Sequence, residues 1–70
     1  MTLLVTVNGA PRELFPGATV ADVVEQLTGY PGGRGVAVAI GGEVVPRGAW
    51  TSTSVSDGAQ IEVVAAVQGG

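Results

Sequence analysis

The 70-residue sequence contains no cysteine and no histidine, and none of its three basic residues is a lysine. Each absence removes a class of chemistry. Without cysteine there are no disulfides and no thiol nucleophile, and without histidine there is no imidazole base and no Cys/His zinc site. The lack of lysine argues against isopeptide chains built on the protein itself. Aromatic residues are reduced to one Trp, one Tyr and one Phe. No apolar run approaches the ~20 residues of a membrane span, and no charged-then-apolar leader opens the sequence, so a cytoplasmic location without a membrane partner is expected. Positive charge is also scarce. Arg12, Arg34 and Arg47 stand apart in a chain of formal net charge -3, which leaves nucleic acid no basic cluster to bind.

What is present is enough for one small domain and too little for two. Such domains bury only about 60% of their unfolded surface, and with disulfides and zinc excluded, regular packing has to supply the stability. The 12 glycines gather at positions 29–35, at 41–42 and at the end. Apolar runs fill the intervals, so these glycines read as turns and a tail. No internal repeat or linker separates them.

The stretch TLLVTVN (2–8) is rich in β-branched residues and sets Leu3, Val5 and Val7 on one face of a strand. Asn8-Gly9 is a strong signal for a type I′ hairpin turn, whose two central positions need positive φ. PRELF (11–15) reads as the second strand, with Pro11 tolerable at a start or an edge. Over residues 19–31 Thr19 is placed to cap a helix, with Asp22 at the acidic position of a capping box. Val20, Val23, Val24 and Leu27 form one apolar stripe, Gly29 is placed to end the helix, and Pro31 prevents it from resuming. VAVAI (36–40), a Gly41-Gly42 turn and EVV (43–45) predict a second hairpin. A less regular segment from Pro46 to Ser56 and an Asp57-Gly58 turn lead to a last strand, QIEVVAAV (60–67).

A ββαβββ order with a single helix buries its apolar faces most economically as an α+β mixed sheet of about five strands curled around the helix, the ubiquitin-like β-grasp. The expected division is a β-grasp domain over 1–66 and a flexible tail over 67–70. VNGAPRELFPGATVADVVEQL, VAVAIGGEVVPRGAW and DGAQIEVVAAVQGG resemble the ThiS sulfur carriers of thiamine biosynthesis over essentially the whole chain. Two departures fall in turns: Gly41-Gly42 replaces a frequent Asn-Gly, and Ala59 replaces a frequent acidic residue.

The resemblance implies that the protein is a co-substrate with no catalytic residue, metal or bound cofactor of its own. It implies that the Gly70 carboxylate, preceded by Gly69, is adenylated with ATP by a ubiquitin-activating-like adenylyltransferase of the ThiF type. The product is then converted to a thiocarboxylate, with sulfur from a donor such as a cysteine desulfurase, and the sulfur passes to a thiazole synthase of the ThiG type. Val67 and Gln68 form the part of the tail that enters the partner's active site. Glycines without Cβ suit a narrow active site, and the four residues after Ala66 reach about 13 Å at full extension. Two other readings stand beside this one. The small subunit of molybdopterin synthase is also a β-grasp ending in Gly-Gly, although its members tend to be longer. An interaction module with an inert tail is the reading from a different class, because a terminal glycine pair is weak evidence alone in so glycine-rich a chain.

Strand alternation assigns Ile61, Val63 and Ala65 to the core and turns Val64 and Ala66 the other way. With Leu4, Ala37 and Ala39 they are expected to form one contiguous apolar patch on the helix-free face, a partner-binding surface. Trp50 is expected to close the core rather than to anchor a partner. Asp22 and Glu25 fit capping and solvation better than acid-base catalysis. Gly32-Gly33-Arg34-Gly35 lacks the Lys-Ser/Thr of a phosphate loop and reads as a connection.

Overall fold

The computed structural model describes residues 2–28 and 35–65, of which 65 is described as backbone only. The expectations for Gly29, Pro31, the loop 32–34, Ala66 and the tail 67–70 lie outside the described residues, as does the core assignment of the Ala65 side chain.

Strand β1 spans Leu3–Val7 and β2 spans Ala10–Leu14, joined by a turn in which Asn8 has φ 54° and Gly9 φ 83°. Positive φ at both positions is the type I′ turn that Asn-Gly favours. This two-residue turn makes Val7 and Ala10 the closing pair, so β2 begins one residue earlier than expected and ends at Leu14, before Phe15. Pro11 faces Thr6 across the pair. Thr6 directs its own N–H to the Ala59 carbonyl on the other side, 3.0 Å away, and β2 is an edge strand, so the missing N–H of Pro11 costs no ladder bond.

Helix α1, Val20–Thr28, starts at a complete capping box. The Asp22 carboxylate accepts from the Thr19 N–H at 2.8 Å and from its hydroxyl at 3.0 Å, and Thr19 Oγ1 accepts from the Asp22 N–H at 3.3 Å. Asp22 thus does the work usually given to Glu or Gln, satisfying donors that the helix itself leaves open. Val20, Val23 and Val24 are fully buried, and Leu27 packs at the margin of the same stripe.

Strands β3 (Val36–Ile40) and β4 (Glu43–Val45) form the second hairpin around Gly41 and Gly42, with φ 58° and 88°. A 3-10 helix at Arg47–Ser52 occupies part of the segment expected to be irregular. It carries Trp50 into the core, 3% exposed, where the indole N–H donates to the Val45 carbonyl at 2.9 Å. The Arg47 guanidinium lies 5.7 Å from the Trp50 ring centroid, covering its outer face. The chain then runs beside the start of α1, with Val20 N–H donating to Thr53 O and Val55 N–H to Ala18 O.

Strand β5, Gln60–Ala65, completes a five-stranded mixed sheet in the order β2-β1-β5-β3-β4, parallel to β1 and antiparallel to β3. One face, with Val5, Val7, Leu14, Val38, Ile61 and Val63, closes on the helix and Trp50. This is the ubiquitin-like β-grasp. Its consequence for function is that the last described strand is central and leads directly to the tail.

Candidate functional site

Adjacent residues of β5 show what the alternation does. Val63 is 7% exposed and Val64 is 57% exposed. Val64 pairs with Ala37 on β3, and Ala39 pairs with Val44 on β4, so all four side chains share the face opposite the helix. They line one shallow hollow together with Glu62. Val44 is 73% exposed and belongs to this surface. It was legible in EVV, since an inward Val45 requires an outward Val44, but a three-residue strand gives the alternation little length in which to show.

The expected five-residue patch divides. Ala37, Ala39 and Val64 lie together, Ala66 lies outside the described residues, and Leu4 belongs elsewhere. β1 runs parallel to β5 with Thr6 opposite Gln60, and the Leu4 carbonyl accepts from the Gly58 N–H at 2.7 Å. Leu4 is therefore level with Gly58, six residues before Val64, which amounts to about 20 Å along the sheet. Thr6, Gln60 and Glu62 fill the space between. Leu4, 55% exposed, lines a different hollow with Pro11 and Gly58. The first and last strands are neighbours as expected, yet their register keeps these two residues apart.

Other side chains have structural work. Trp50 closes the core, and the Asp22 carboxylate is occupied by the cap. Among the described residues no group of three or more His, Cys, Asp or Glu is arranged to hold a metal ion, and no helix is long and apolar enough to cross a membrane. In the sequence, Asn8 carries only the signal of its turn. Its side chain also bonds both peptide groups of Val63, donating to the carbonyl at 3.0 Å and accepting from the N–H at 2.9 Å. No local pattern signals a contact that spans 55 residues.

No curated protein matches this sequence. The model of the ThiS family matches residues 5–70. Among solved structures, the chain is similar to a thiamine biosynthesis protein (ThiS) from Geobacter metallireducens, with 30% identity and a TM-score of 0.80 over 97% of this chain and 100% of that one. A family match that extends from β1 through the final glycine, on a β-grasp with the same overall course, places this chain in the ThiS family, the sulfur carriers of thiamine biosynthesis.

Proposed function

We propose that this protein carries sulfur on its C-terminal Gly70 as a thiocarboxylate. The observation that carries the reading is the family match running through Gly70, downstream of a central strand that leads into the tail. A carboxylate resists nucleophilic attack because its oxygen is a poor leaving group. A Gly70 oxygen attacks the α-phosphorus of ATP within an adenylyltransferase of the ubiquitin-activating type, and pyrophosphate departs. The acyl adenylate then has AMP as its leaving group; the persulfide of a cysteine desulfurase displaces it to give an acyl disulfide, and a second thiol cleaves the S–S bond, leaving the thiocarboxylate and a disulfide. Thiazole synthase takes the sulfur from the resulting thiocarboxylate. The chain supplies the electrophile and its delivery, the partners supply the catalysis, and this chemistry belongs in the cytoplasm. The face formed by Ala37, Ala39, Val44 and Val64 docks the partner, while Val67, Gln68 and Gly69 thread the carboxylate into the active site.

Deleting Gly70 tests this directly. The carboxylate retracts by about 3.3 to 3.6 Å, whereas a misplacement of about 1 Å can already cost a hundredfold in rate. ATP–pyrophosphate exchange with the adenylyltransferase is expected to be abolished, and a tryptophan appended after Gly70 is expected to do the same, with circular dichroism and melting unchanged in both. Parental exchange by the deletion variant refutes the mechanism.

A further inference from the structure

The parallel ladder between β1 and β5 follows a regular sequence of peptide groups. Thr6 N–H donates to Ala59 O and Asn8 N–H donates to Ile61 O, a step of two residues on each strand. The next step in a parallel ladder requires the carbonyl of residue 8 and the N–H of residue 10 to meet Val63. That step is blocked, because the positive φ of Asn8 turns the chain away into the hairpin. The Asn8 side chain takes over both roles: Oδ1 accepts from Val63 N–H at 2.9 Å, and Nδ2 donates to Val63 O at 3.0 Å. A primary amide matches a peptide group in having one donor and one acceptor, which is what the interrupted ladder lacks.

We propose that Asn8 is a positioning residue for the carrier terminus, clamping β5 at Val63 so that the strand leaves the sheet in one direction. Beyond Val63, among the described residues, only β3 flanks the strand, through the pairs Ala37 with Val64 and Val36 with Ala65. Among the described residues, Val63 is the last point at which β5 is held from both sides, seven residues before Gly70. The turn itself does not need the asparagine. Gly41 and Gly42 make the same kind of turn with φ 58° and 88°, against 54° and 83° for Asn8 and Gly9. The second hairpin thus shows that Gly-Gly supports this geometry, and the particular contribution of Asn8 is the clamp.

The inference rests on the carrier reading above, and N8G separates the two in the full chain. Hydrogen exchange followed by NMR is expected to show Val63 N–H exchanging at least about tenfold faster in N8G, with Val5 and Val38 at parental rates. In ATP–pyrophosphate exchange, kcat is expected to fall about tenfold while KM for the carrier stays close to parental, because the docking face is intact and only the aim of the carboxylate is loosened. N8D, which keeps an acceptor but presents a carboxylate to the Val63 carbonyl, is expected to match or exceed that loss. Unchanged Val63 protection in N8G overturns the clamp, and freed Val63 with parental kcat overturns its role in positioning. A parent chain that supports no exchange instead refutes the carrier reading, and the Val63 measurement still decides whether Asn8 clamps the strand.

Discussion

Val64 and Val63 are neighbours with opposite fates, and a charge placed at Val64 tests both the sheet geometry and the docking face. Full burial of a valine side chain stabilises by about 1.5 to 3 kcal/mol, and Val64 leaves 57% of its surface exposed, so covering that part against a partner contributes about 0.9 to 1.7 kcal/mol. Val64→Arg removes that contribution and turns a guanidinium toward an apolar contact. At about 1.4 kcal/mol per factor of ten, KM of the carrier for the adenylyltransferase is expected to rise tenfold or more. The domain is expected to tolerate the change. An exposed substitution of this kind shifts stability by about 0.5 kcal/mol or less, equivalent to a melting shift below about 4 °C in a domain this size. Because the introduced arginine has Glu62 on the same face, Val44→Arg provides an independent charge on the edge strand β4, across β3 from Val64, and is expected to raise KM as well. Thermal melting monitored by circular dichroism, beside exchange kinetics, distinguishes the outcomes. A collapsed melting temperature in Val64→Arg refutes the strand geometry, because it means a buried unpaired charge. Parental KM and melting in both variants refute the docking face.

Two further predictions concern the frame that holds the site. Thr19→Ala removes one half of the capping box and is expected to cost about 1 kcal/mol in urea unfolding while leaving adenylation intact; equal stability of mutant and parent means the cap contributes nothing. Trp50→Ala empties a core position and leaves the Val45 carbonyl without its indole donor, for an expected loss of about 3 to 5 kcal/mol. A 70-residue domain has only about 3.5 to 10 kcal/mol in total, so this variant is expected to lose about half of its stability or more, and a loss under about 1 kcal/mol in denaturant titration contradicts the core placement of the indole.

The sequence by itself determined what depends on near neighbours along the chain. Asn8-Gly9 and Gly41-Gly42 locate turns because few residues accept positive φ, Thr19 and Asp22 start the helix through bonds three residues apart, and alternation in VAVAI and QIEVV separates buried from exposed faces. The resemblance to the family lies in these same stretches and extends through the terminal glycines. Tertiary structure decided what depends on the pairing of distant strands. Leu4 and Val64 both face away from the helix, yet the Thr6–Gln60 register parts them, while the β3–β4 pairing brings Val44 onto the face of Val64 from the other side of β5. The 3-10 helix around Trp50 carries too few residues for a periodic pattern and is shaped by what the indole packs against and bonds. Asn8 is the sharpest instance: its turn preference is local, whereas its clamp on Val63 exists only because a parallel strand 55 residues away arrives with two peptide groups unpaired. Alternation along one strand fixes the face of a residue, and only the hydrogen-bonded register between strands fixes its neighbours on that face.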